Sequence, residues 1–155
     1  MIKIFTIFLI FFSKGFSEPD NNYIRSIQLN GNENVSLNEI LYLVRQRPPN
    51  FFFRRPKFNP RLLKLDALTL KNYYHSKGFL DVEIKNSYEN EKNSVDIKYD
   101  IIEGKRYYLS KVNVVGNKLI KAHDIKKFLG LKVGNPYNPV FINDNLYLIE
   151  NEYHE

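Results

Sequence analysis

Residues 73–85 read Tyr-Tyr-His-Ser-Lys-Gly-Phe-Leu-Asp-Val-Glu-Ile-Lys, and the hydrophobic period changes within them. Before Gly78, the residues Leu63, Ala67, Leu70 and Tyr74 recur at spacings of four, three and four, which predicts a helix with one core-facing stripe. Gly78 ends that helix, because glycine takes the left-handed conformation of a C-terminal cap without a Cβ clash. After it, Leu80, Val82 and Ile84 alternate with Asp81, Glu83 and Lys85, the period of a half-buried strand. A second alternation, Val95, Ile97, Tyr99 and Ile101 against Asp96, Lys98 and Asp100, follows a polar turn over Glu89 to Ser94, so the pair predicts a β-hairpin.

Upstream, Asn59-Pro60 supplies an N-cap and the one helical position where proline is harmless. Ser36 with Glu39 three residues on forms a capping box ahead of Ile40, Leu43 and Val44, which predicts a shorter first helix. A strand over Ile24 to Asn30 ends at Gly31-Asn32, where glycine supplies the positive φ of a tight turn. The unit is strand, helix, helix, strand, strand. Its fold class is α+β: a three-stranded mixed sheet with two antiparallel helices covering one face.

The unit begins again. Ile27, Leu29, Gly31, Asn32, Ile40, Leu43 and Val44 are answered 85 residues later by Val112, Val114, Gly116, Asn117, Ile125, Phe128 and Leu129. Further on the offset becomes 79, matching Phe58-Asn59-Pro60 with Tyr137-Asn138-Pro139 and Tyr74-His75 with Tyr153-His154. The first copy therefore holds a six-residue insertion within Arg45 to Lys57, a stretch containing Phe51-Phe52-Phe53-Arg54-Arg55. The second copy predicts a strand over Tyr108 to Val115 and a weaker first-helix cap, since Lys121 stands where Ser36 does. It stops at Glu155, inside its second helix, and leaves Val112, Val114, Ile142, Ile149 and Tyr153 poorly covered. The reading is of a truncated second unit.

Composition narrows the function classes. The 155 residues are 43% hydrophobic, enough for a core, and contain no cysteine, which removes disulfides, thiolate metal sites and cysteine nucleophiles. Met1 to Lys3 is a short cationic start, and Ile4 to Phe12 an apolar run too short to span a bilayer. Gly15 and Ser17 are the small residues a signal peptidase inspects. Residues 1–17 thus read as a cleaved signal peptide, followed by unit one (18–104) and unit two (105–155). Without Lys3 and Lys14, the 21 Lys and Arg face 17 acidic residues. That mild, interspersed charge argues against nucleic-acid binding. His75 and His154 occupy equivalent helix-end positions, and the strand carboxylates alternate outward, so no catalytic residue, metal site or cofactor is predicted.

Strands ending in Gly-Asn, the run Gly78-Phe79-Leu80-Asp81-Val82, the closing Glu103-Gly104 and the stretch Leu131 to Asn138 together resemble tandem POTRA domains. Such repeats form the periplasmic arm of the BamA family of outer-membrane β-barrel assembly proteins, and similar ones occur in TamA-like and two-partner secretion transporters. The resemblance implies an exported protein at the periplasmic face of the bacterial outer membrane. It implies binding of unfolded β-barrel clients and accessory assembly subunits, without catalysis, and attachment through a C-terminal barrel that this sequence lacks. A family-like sheet order leaves the strand Leu80 to Lys85 (Leu80, Asp81, Val82, Glu83, Ile84, Lys85) at an open edge, free to pair with an extended client. About four backbone bonds at roughly 1 kcal/mol each correspond to about millimolar binding. Phe51, Phe52, Phe53, Arg54 and Arg55 are a second candidate surface. The alternative from another class is a stand-alone envelope scaffold.

Overall fold

The computed structural model describes residues 22–49 and 55–154. The first unit contains β1 (Tyr23–Asn30), α1 (Leu37–Leu43), α2 (Pro60–Ser76), β2 (Glu83–Glu91) and β3 (Ser94–Ile102); the second contributes α3 (Ala122–Phe128) and α4 (Pro139–His154). The signal-peptide assignment to residues 1–17 and the residues Phe51 to Arg54 lie outside the described residues.

The sheet order is β1-β3-β2, with β1 parallel and β2 antiparallel to β3. It is therefore the mixed sheet that the alternating patterns predict. Ile24, Ile40, Val44, Leu70, Tyr74, Val95, Ile97 and Tyr99 fill the space between sheet and helices. A bulge lies between Ile24 and Ser26. The extra residue lets Ile24 and Ile27, an odd number of positions apart, both point at the core.

Local signals act where the sequence places them. The Ser36 hydroxyl accepts from the Glu39 N–H at 3.3 Å, and the Glu39 carboxylate accepts from the Ser36 N–H at 3.0 Å. The Asn59 side chain accepts from the Arg61 N–H at 2.9 Å, with Pro60 opening α2. Lys121 caps α3 with no side-chain bond. Gly31 and Gly116 sit at φ +78° and +77°, and Asn32 and Asn117 each donate a side-chain N–H to the carbonyl three residues on. A Cβ on Gly31 would lie 2.0 Å from the Ile101 carbonyl oxygen, so this turn is pressed against β3.

Three expectations need correction. β2 starts at Glu83, because Leu80 and Asp81 lie in a turn and Val82 is buried as an anchor ahead of the strand; it then runs to Glu91, so the hairpin turn shrinks to Lys92-Asn93. Ala67 lies beside the core stripe and Asp66 takes the buried place, tied to the Arg45 and Gln46 N–H groups at 2.8 and 3.0 Å. Residues 108–115 form no strand beyond the single bridge of Tyr108 to Pro136: β1 is held by β3 of its own unit, and no described residue plays that part for unit two. Correspondingly, α4 has no buried residue, and Val112, Val114, Ile142, Ile149 and Tyr153 all remain at least partly exposed.

The two units meet through backbone. Phe79 and Arg106 form an isolated bridge, the Tyr107 N–H donates to the Gly78 carbonyl at 2.8 Å, and the Tyr137 N–H donates to the Tyr107 carbonyl at 2.9 Å. The Arg106 guanidinium lies over the rings of Phe79 and Tyr108, 5.4 and 5.6 Å from their centroids. The Tyr107 hydroxyl donates to Asp81 at 2.7 Å, and Gly104 packs against Asp81, so that a Cβ there would lie 3.1 Å from the Asp81 Cβ.

Candidate peptide-binding edge

A sheet order of β1-β3-β2 leaves two borders. That of β1 is sealed at its start, where the Ile24 N–H donates to the Pro56 carbonyl and the Phe58 N–H to the Asn22 carbonyl, both at 2.8 Å. Residues 56–58 thus act as a short cover strand, which no periodic pattern announced. β2 has β3 as its only strand partner among the described residues.

The two-residue turn sets which atoms face outward. Glu91 pairs with Ser94 across Lys92-Asn93, and the residues flanking such a turn exchange hydrogen bonds. In an antiparallel ladder the bonded pairs alternate, so Glu83, Lys85, Ser87, Glu89 and Glu91 bond to β3. Ile84, Asn86, Tyr88 and Asn90 turn their N–H and C=O groups away from it, a row of four where a strand over Leu80 to Lys85 would offer three. Of the six residues expected at the edge, Glu83, Ile84 and Lys85 are in the strand.

The side chains of the outward-bonding residues face the helix layer. Ile84 packs against the core, the Asn86 side chain donates to the Leu63 carbonyl at 2.8 Å, and Tyr88 stacks on Phe58 with centroids 4.6 Å apart. Between β2 and α2 lies a groove of about 320 Å³, lined by Lys64, Ala67, Leu68, Lys71, Ile84 and Asn86. Leu68 is 60% exposed on its wall. An added strand would offer every second side chain to this groove, which has an apolar floor and two lysines for an acidic or amphipathic residue. The sequence carried a trace of it: Lys64, Ala67, Leu68 and Lys71 form a second helical stripe beside the core one.

Buried acids brace the frame behind the groove. Asp66 also accepts from the Tyr99 hydroxyl at 3.4 Å. Glu103, part of the closing Glu103-Gly104 motif, is buried and accepts from the Asn34 N–H at 3.0 Å and the Tyr74 hydroxyl at 3.1 Å. Burial, reinforced by the neighbouring carboxylates, raises the pKa of both tyrosines, so they remain neutral donors. On the surface, Arg25 pairs with Asp96 and Glu91, and its hydrogen bond, followed by that of Ser26, lowers the Asp96 carboxyl to about 2. Arg55 is exposed beside a concavity of about 470 Å³ that also includes Pro49, Arg25 and Glu91. One imidazole nitrogen of His75, Nε2, is buried with no hydrogen-bond partner among the described residues. Among those residues no three carboxylates or imidazoles converge as a metal site, and no helix is long and apolar enough to cross a membrane.

A β-α-α-β-β unit whose β2 edge is open beside a helix groove, begun again after a short backbone joint, defines a class of tandem mixed-sheet repeat modules. The family model POTRA, described as surface antigen variable number repeat, matches residues 22–104 and again 107–155, and the chain belongs to that family. It is 26% identical over 133 residues to the outer membrane protein assembly factor BamA of Neorickettsia risticii (strain Illinois), covering 83% of this chain and 18% of the relative. It superposes on the crystal structure of POTRA3-5 of Haemophilus influenzae BamA with a TM-score of 0.61 at 20% identity, over 83% of this chain and 53% of the other. Against BamA of Haemophilus ducreyi lacking POTRA domains 1-3 the TM-score is 0.60 at 16% identity, over 83% and 24%. The chain spans less than a fifth of the length of the curated relatives it matches.

Proposed function

We propose that the chain is part of the periplasmic arm of an outer-membrane protein assembly factor, a binding module without catalysis. It takes up extended segments of unfolded β-barrel clients by β-augmentation along β2. The observation that carries this reading is the open β2 edge beside the α2 groove. Its outward backbone groups give affinity independent of client sequence, and the groove adds a mild preference for alternate side chains. Roughly 1 kcal/mol per bond, set against the cost of ordering the client, keeps binding weak and reversible, as handing a client onward requires. Attachment to a membrane barrel, contact with accessory subunits and the division into units at residue 104 belong to the same proposal.

The test is an amide-resolved NMR titration with a ten-residue peptide of alternating apolar and polar residues. Shifts are expected at Ile84, Asn86, Tyr88 and Asn90, and Leu68→Glu, which puts a charge in the groove, should weaken them. Shifts spread over both units and sparing β2 would refute augmentation.

A further inference from the structure

The two units share a repeat but not a surface. Residues 105–135 hold eight Lys and Arg against one acid, Asp124, whereas residues 136–154 hold three acids and no Lys or Arg. Charge that looks interspersed along the whole chain is therefore segregated within unit two. The repeat shows where the change occurred. At matched positions Glu33 becomes Lys118, Asn34 becomes Leu119, Ser36 becomes Lys121, Leu41 becomes Lys126 and Tyr42 becomes Lys127. Asn30 becomes Val115. In unit one, whose sheet is complete, Asn30, Glu33, Asn34, Ser36 and Tyr42 are exposed. Exposure of Lys118, Leu119, Lys121 and Lys127 is thus a property of the position in the fold and does not come from uncovered core.

On α3, Ile125 is buried, with Leu129 just beyond its end, and this turns His123 and Lys127 to the outside. His123, Lys126, Lys127, Leu131, Lys132 and Val133 border one shallow concavity of about 470 Å³. Val115, Leu119 and Val133 are 88%, 69% and 59% exposed. Lysine heads are mobile point charges, without the fork that selects a fixed carboxylate geometry. Mixed with exposed aliphatic side chains, they suit a diffuse anionic layer with an apolar interior beneath it better than a folded acidic partner.

We propose that the α3 face of unit two is a membrane-contacting surface that binds anionic phospholipid headgroups, with Val133 at its rim entering the interface. The acidic α4 is repelled by the same layer, so only one side of the unit approaches. This contact is independent of client binding at β2 and would hold the arm close to the bilayer.

The test is co-sedimentation of residues 18–155, the chain without the stretch read as a signal peptide, with vesicles of phosphatidylcholine alone or mixed with phosphatidylglycerol. Binding is expected only to the anionic vesicles and should fall steeply as salt rises. Each lysine near such a surface is worth about fivefold in partitioning, so the triple variant Lys126→Ser, Lys127→Ser, Lys132→Ser should lose roughly a hundredfold. Its far-UV circular dichroism should be unchanged. A control pair on unit one, Arg61→Ser with Lys98→Ser, should bind as the parent does. Equal binding to neutral vesicles, insensitivity to salt, an unaffected triple variant, or tighter binding to poly-glutamate than to vesicles would each overturn the proposal.

Discussion

Replacing Asp66 by alanine removes the acceptor that ties the segment after α1 to α2. The carboxylate is fully buried and takes the Arg45 and Gln46 N–H groups at 2.8 and 3.0 Å, with the Tyr99 hydroxyl at 3.4 Å. Hydrogen bonds to a charged acceptor are worth about 1.5–3 kcal/mol each, and the donors left behind have little access to water. Two such bonds give about 3–6 kcal/mol; allowing for some hydration of the Arg45 N–H, about 3–4 kcal/mol is expected. That is a large part of a typical domain stability of about 5–15 kcal/mol. With no Trp and 11 Tyr in the chain, urea unfolding is best followed by tyrosine fluorescence and far-UV circular dichroism. At a slope of about 1 kcal/mol per molar, the midpoint should drop by about 3 M with the slope unchanged. Asp66→Asn keeps one acceptor oxygen but turns an N–H₂ toward the other donor, so it should lose about half as much. A midpoint drop under about 0.5 M in the alanine variant would show that these bonds are replaced without cost, refuting the brace.

Other substitutions probe the repeat, the cap and the joint. Gly31→Ala and Gly116→Ala impose the same positive φ, costing about 1–2 kcal/mol; only the first also drives a Cβ into the Ile101 carbonyl, so it alone should unfold unit one in the same urea experiment. The Tyr73 hydroxyl, then Ser36, lowers Glu39 to about 2. Its folded-state pKa lies below the unfolded one, so its contribution is present above about 4.5 and lost as pH falls toward about 2. Urea midpoints against pH should therefore slope less in Glu39→Gln over that window, with the remaining slope owed partly to Asp96. Gly78→Ala places a Cβ 2.7 Å from the Tyr107 carbonyl oxygen at a φ of +93°, and should loosen the joint, read as a larger radius of gyration by solution X-ray scattering.

Features written in neighbouring residues were legible in the sequence. Ser36 with Glu39, Asn59 with Pro60, and the two Gly-Asn turns each complete their own hydrogen bonds within a few residues, so the pattern alone suffices. Asp66 was not legible, since its partners, the Arg45 and Gln46 N–H groups, come within reach only after α1 folds back along α2. Val82 shares the parity of Ile84 and reads as strand, yet it is buried ahead of the first residue that pairs with β3. Tyr108 to Val115 has the alternation of a strand, but alternation gives a segment a buried face and not a hydrogen-bonding neighbour. Of the residues read as an edge strand, Glu83, Ile84 and Lys85 lie in β2, whose length followed only from the tight turn at Lys92-Asn93.

The bond from the Tyr107 N–H to the Gly78 carbonyl uses atoms that every amino acid supplies, beside a cap whose glycine cannot readily change. Successive modules hinged in this manner can drift apart in side-chain chemistry while conserving their mutual angle. Evolution is then free to repaint one module for a new duty and leave the geometry of the whole limb intact.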